Sequence, residues 1–185
     1  MGKLKDLEKL KKSILKAKNK FPGKNLVFAD GNCNSKIMII GEAPGRTEDK
    51  LQLPFVGRAG KILNELLSYI KLDRSKVYIT NVVNFRPDQN RKPTENEIYF
   101  FKKFLIKHIQ IINPKFLLLV GSTAAFAILN HSAPLADIRG KWIKSKELNL
   151  DAFTIYHPAY LLRQSAQVAV TKKDMLKFKT KVTKS

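Results

Sequence analysis

Lys36-Ile37-Met38-Ile39-Ile40-Gly41-Glu42-Ala43-Pro44-Gly45, continued by Glu48-Asp49 and by Pro54-Phe55-Val56-Gly57-Arg58-Ala59-Gly60, decides how the chain folds. Ile37 to Ile40 are apolar without a break, and Gly41 ends the run abruptly. A run this short without polar alternation reads as a strand buried on both faces, as in a parallel sheet. The glycine- and proline-rich loop that follows hangs on the end of that strand, where an open α/β sheet places its ligand. Val56 to Gly60 leads straight into a helical pattern, and small residues at a helix N-terminus suit a phosphate.

Downstream, strands and helices alternate. Ile62, Leu63, Leu66, Leu67 and Ile70 form a helical stripe, and residues 77–80 form a second strand ending at Asn81. Residues 84–93 are a polar, basic, proline-broken loop suited to nucleic acid. Thr94 and Glu97 make a capping box for a helix that ends at Asn113-Pro114. Residues 116–120 are a third buried strand stopped by Gly121, and Ser122 opens a short helix to Leu129. Residues 134–140 read as loop, 141–143 as a strand, and 153–156 as the last core strand, running into His157. A basic helix over about 172–179 finishes the chain. Upstream, Leu4, Leu7, Leu10 and Ile14 space a thin, lysine-rich helix that either packs lightly, follows phosphates or is a solvated appendage. Leu26-Val27-Phe28 reads as a short edge strand. The expected division is a basic N-terminal helix or tail over 1–24 and a single domain over 25–185.

The 185 residues suffice for one sizeable core, and 44% are apolar. Lys plus Arg is 35 against 15 Asp plus Glu, a net charge of +20. That excess favours an anionic partner, most commonly nucleic acid, against the plainer reading of a solubility charge. No apolar run is long enough for a membrane span, and the N-terminal lysines lack the apolar core of a signal peptide. Cys33 is the single cysteine, so no intrachain disulfide can form, and a cytoplasmic location is expected.

Glu42, Asn81 and His157 each lie just past a predicted strand. Ends of the same sense share one edge of a parallel sheet, so the three are expected to converge. Taken singly, a His before Pro is a loop residue, an Asn after a strand is a turn residue, and a loop Glu is solvated. Together, beside a glycine-rich loop on a basic chain, they make a candidate site. His108 and His131 lack such a setting and read as surface or packing residues. Phe55 is either a core plug or a stacking platform.

The ordered set Gly41-Glu42-Ala43-Pro44-Gly45, Pro54-Phe55-Val56-Gly57-Arg58-Ala59-Gly60, Thr80-Asn81-Val82-Val83, Arg86-Pro87 with Gln89-Asn90, Arg139-Gly140-Lys141-Trp142 and His157-Pro158-Ala159-Tyr160-Leu161-Leu162-Arg163 resembles the uracil-DNA glycosylase superfamily, and most closely its thermophile-type family 4. The resemblance spans about residues 26–163. It implies an α/β fold, a three-layer α/β/α domain with a central four-stranded, mostly parallel sheet. It also implies a repair enzyme that flips uracil from single- or double-stranded DNA and hydrolyses its N-glycosidic bond.

By position, Glu42, His157 and Asn81 would be catalytic: Glu42 on the attacking water, His157 at uracil O2, Asn81 on the Watson–Crick edge. Gly41, Ala43, Phe55, Asn81 and Asn90 would bind the base, with Phe55 stacking on it. Gly57, Arg58, Gly60, Lys61 and Arg163 would meet phosphates, and Leu161 or Leu162 would fill the gap left by the flipped base. The implied enzyme works as a monomer away from membranes.

Three departures stand out. Ala159 replaces a usual Ser, and Ala43 stands where the best-known glycosylases carry a water-activating Asp, so Glu42 must act from another position. The four cysteines that hold an iron–sulfur cluster in family 4 are missing, so no metal or cofactor is expected. Phe85 and Phe100 stand at two of the cluster-ligand positions and are expected to meet under the second loop. Two further readings remain: a superfamily glycosylase for another deaminated base, and a non-catalytic nucleic-acid-binding module.

Overall fold

The structure, a computed structural model, describes residues 2–130 and 133–184, so His131 lies outside the described residues. Its elements in order are α1 (Lys3–Leu15), β1 (Asp30–Gly31), β2 (Ile37–Gly41), α2 (Arg46–Leu51), α3 (Arg58–Tyr69), β3 (Tyr78–Asn81), α4 (Glu95–Ile112), β4 (Phe116–Val120), α5 (Ser122–Leu129), α6 (Leu135–Ile138), β5 (Trp142–Ser145), β6 (Leu150–Ile155), α7 (Pro158–Leu161) and α8 (Ala166–Val182).

The sheet has six strands in the order β1-β3-β2-β4-β6-β5. The inner four are parallel, and β1 and β5 pair antiparallel at the edges. The expected four-stranded sheet is therefore the parallel centre of a larger one. Asp30-Gly31 is too short and polar to read as a strand. Leu26-Val27-Phe28, read as the edge strand, instead runs beside Asn84: Val27 N donates to Asn84 O at 2.9 Å, and Asn84 Nδ2 donates to Val27 O at 3.1 Å.

Side-chain alternation along β2 explains the three layers. Met38 and Ile40 join Leu7, Leu10, Ile14, Leu105 and Ile109 on the α1, α4 and α5 side. Ile37 and Ile39 join Leu63, Leu66, Met175 and Phe178 on the α3 and α8 side. The basic N-terminal helix thus buries Leu7, Leu10 and Ile14 in the core, while Leu4 stays exposed. The capping box of α4 forms as expected: Glu97 N donates to Thr94 Oγ1 at 3.2 Å and Thr94 N donates to Glu97 Oε2 at 2.8 Å. Helices α2 and α6 fall in segments read as loop. All of α2 lies outside the core, so no apolar periodicity marked it. Helix α8 is longer than the basic segment that announced it.

His108 is a packing residue. Its ring stacks on Phe28 at 4.7 Å and hydrogen-bonds the Tyr78 hydroxyl at 2.8 Å. Burial lowers its pKa to about 3. The folded chain keeps it neutral while the unfolded chain protonates it below about pH 6.5, so this stability is full above pH ~6.5 and is lost as pH falls toward 3. About two units below 6.5 the loss is roughly 2.7 kcal/mol. His108→Gln should flatten the slope of denaturant-derived stability between pH 6.5 and 4.5, whatever it does to the baseline. An unchanged slope would show that other groups carry the acid sensitivity.

Candidate active site

Chain order sets the location. From β2 the chain adds β3 on one side of β2 and β4 on the other, so connections diverge at the carboxyl ends of these strands and leave a crevice. Gly41 lies opposite Asn81 in the β2–β3 ladder, and Val120 lies opposite Ile155 in the β4–β6 ladder. Glu42, Asn81 and His157 thereby reach one cavity of about 170 Å³, together with Ala43, Phe55 and Asn90. A cavity of about 150 Å³ accepts a benzene-sized ring, so a single small ring fits. A larger groove of about 520 Å³ shares Glu42, Asn90, His157 and Ala159 with it and extends to Lys92, Tyr160 and Arg163.

Asn81 is buried, and its Oδ1 has no hydrogen-bond partner among the described residues. An unpaired buried acceptor costs about 1–3 kcal/mol, so the fold holds it open against that cost. Gly41 makes this possible: a Cβ there would collide with Asn81 Oδ1 and the Phe55 ring.

Phe55 sits at φ +53°, a left-handed conformation rare for an aromatic residue, with its ring 5.9 Å from the His157 ring. Its loop is held from two sides. The Arg74 guanidinium donates to Pro54 O at 2.7 Å and Phe55 O at 3.2 Å, and is anchored on Asp30 by Nε at 2.7 Å. Glu48 Oε1 accepts from Val56 N at 3.1 Å and Gly57 N at 2.7 Å, filling the anion position at the start of α3. Gly60 is buried directly beneath the Phe55 carbonyl, where a Cβ would clash. Of Gly57 and Gly60, read as phosphate contacts, the Gly57 amide donates to Glu48 and Gly60 lies against the Phe55 carbonyl. Arg58 and Lys61 are exposed. Neither Glu48 nor Arg74 carries a motif or period in the sequence that announces these contacts.

His157 begins α7, and its Nδ1 accepts a hydrogen bond from Ala159 N at 3.1 Å. An accepting Nδ1 leaves the proton of a neutral imidazole on Nε2. Burial lowers the pKa of His157, with nearby Glu42 pulling the other way and Arg163 adding to the lowering. The resting ring is thus neutral, with an Nε2–H to donate. Glu42 Oε2 accepts from the Thr123 hydroxyl at 2.5 Å. Asn90, at φ +55°, accepts from Arg86 Nε at 2.7 Å. Of the two leucines after His157, Leu161 is 2% exposed and packs in the core, whereas Leu162 is 40% exposed. Arg163 is exposed at the groove.

The second loop rests on aromatic packing. Phe85 is fully buried, stacked on Phe21 at 5.1 Å and set against Phe101 at 6.1 Å. The expected Phe85–Phe100 pairing is off by one residue. One step is about 100° around a helix, so Phe101 faces inward while Phe100 touches Phe101 at 5.2 Å from the flank. A four-thiolate cluster does not fit these residues: Cys33 is the single cysteine, and rings fill the space below the loop. Among the described residues no group of three His, Cys, Asp or Glu is placed to hold a metal. No helix among them is long and apolar enough to cross a membrane. Phe85→Ala should cost about 3–5 kcal/mol of stability, measured by urea unfolding. A loss below ~1 kcal/mol would mean the loop is held by something else.

A family model described as the uracil DNA glycosylase superfamily matches residues 28–182. The type-4 uracil-DNA glycosylase of Thermotoga maritima is 41% identical over 143 residues, which is 75% of this chain and 72% of that protein. That of Pyrobaculum aerophilum is 36% identical over 183 residues, covering 94% and 93%. That of Sulfurisphaera tokodaii is 36% identical over 185 residues, covering 94% and 83%. The match runs from the segment before β1 through α8 and takes in every strand of the sheet and every wall of the cavity, so the chain belongs to the uracil DNA glycosylase superfamily.

Proposed function

We propose that this chain is a uracil-DNA glycosylase: it draws uracil out of the DNA stack into the cavity between Phe55, Asn81 and His157 and hydrolyses its N-glycosidic bond. The observation that carries the reading is the unpartnered Asn81 Oδ1 in a ring-sized cavity opposite a neutral histidine. Uracil N3–H would donate to Asn81 Oδ1 and uracil O4 would accept from Asn81 Nδ2. Cytosine reverses both patterns and would be refused. Phe55 stacks on the ring. As the N1–C1′ bond breaks, the electron pair passes to uracil, and His157 Nε2–H donates to the charge that gathers on O2. Water adds to C1′ and gives up its proton to Glu42. Uracil leaves as the anion and takes up a proton from solvent while Glu42 releases the one it received, so the products are free uracil and an abasic site. Burial of His157 favours this role, because a neutral donor leaves the charge on uracil to be met by a hydrogen bond rather than by proton transfer.

DNA lies along the groove toward Lys92 and Arg163, with Leu162 filling the vacated stack, and the enzyme acts as a monomer. Binding should weaken steeply with salt, and Arg163→Glu should weaken it alike for all sequences; fluorescence anisotropy at several salt concentrations measures both. Equal affinity for Arg163→Glu and the parent would remove Arg163 from the DNA path.

The deciding experiment incubates the protein in excess with labelled single- and double-stranded DNA holding one uracil, thymine or hypoxanthine, followed by alkali. Strand scission at uracil alone is expected. Scission only at another base would replace the substrate. Salt-sensitive binding without scission would leave a nucleic-acid-binding module.

A further inference from the structure

Resting on the reading of Glu42 as the residue that receives the water proton, we infer that Thr123 is the positioning residue that aims it. The two lie 81 positions apart in sequence and come together because β2 and β4 are neighbours in the sheet. Glu42 follows β2 directly, and Thr123 stands in the first turn of α5, which follows β4.

Glu42 is half-buried on the wall shared by the cavity and the groove, in the loop that follows β2. Among the described residues, Thr123 is the sole hydrogen-bond partner of its carboxylate. Thr123 is itself buried, and its hydroxyl donates to Oε2 at 2.5 Å. A β-branched residue on a helix has few χ1 choices, so the donor is stiff. With Oε2 fixed, Oε1 is the oxygen left for the water. The first turn of α5 also presents its positive end toward the same carboxylate.

The alternative is that Thr123 only packs against the sheet. The two separate in a double-mutant cycle read by single-turnover uracil release with enzyme in excess. Thr123→Val keeps shape and loses the hydroxyl. It should slow the maximal rate by at least about tenfold and up to roughly 10²-fold, the scale for a misaimed reacting group. The enzyme concentration for half-maximal rate should stay within about twofold. Thr123→Ser restores the hydroxyl and should return most of the rate. In a Glu42→Ala background, Thr123→Val should cost nothing more. If the valine variant does not fold by circular dichroism, Thr123→Ala takes its place in the cycle. A valine variant as fast as the parent, no rescue by serine, or the same fold-loss in the Glu42→Ala background would each overturn the inference. Parent protein that releases no uracil would overturn the functional reading itself, which is visible before any variant is made.

Discussion

Replacing His157 by alanine should lower the maximal rate of uracil release by roughly 10²–10³-fold, the scale for one lost donor at a developing oxyanion, with little change in DNA affinity. The backbone does the preparatory work. Ala159 N donates to Nδ1, so the proton sits on Nε2 without any second side chain to fix the tautomer. Burial then lowers the pKa, so the ring stays neutral at and somewhat below its ordinary titration range. Excision should therefore be insensitive to pH across 6.5–8 as far as His157 is concerned. A requirement for imidazolium would instead show a rate rising as pH falls through 6.5. His157→Gln keeps a donor near O2 and should fall between the parent and alanine. A loss of less than tenfold in the alanine variant would place the leaving-group donor elsewhere.

Asn81→Asp should reduce uracil release by roughly 10²-fold, the equivalent of the ~3 kcal/mol that a mismatched buried polar contact can cost, and should narrow the preference over cytosine. An ionised carboxylate cannot donate to uracil O4, but it can accept from the cytosine amino group. The effect is expected to be large because the Asn81 Oδ1 is buried and unpartnered among the described residues. Competition between labelled uracil- and cytosine-containing strands gives the ratio directly. Unchanged discrimination would mean that the base is read by backbone groups of the first loop.

The alternation of strands and helices, the capping box of α4, and the placing of Glu42, Asn81 and His157 at strand ends were legible from the residues alone. These follow from local signals: unbroken apolar runs, glycine stops and hydrophobic periods. Parallel strands then force like ends onto one edge. The sequence also excluded a four-cysteine cluster, because one thiol is a count that folding cannot alter. The rest depends on how the layers pack. That Phe101 and not Phe100 meets Phe85, and that Leu161 is buried while Leu162 is exposed, depends on helix phase against the packed layers. A shift of one residue turns a side chain by about 100°, and composition carries no such angle. The edge strand Asp30–Gly31 exists because β3 offers it a ladder, with no propensity of its own. Glu48 takes the amides before α3, Arg74 grips the carbonyls of Pro54 and Phe55, and Thr123 reaches Glu42. Each joins groups that are distant in sequence or lie across a turn, where no period or motif links them. Hydrogen bonds of this kind are set by where the sheet and its loops finally bring the donors and acceptors together.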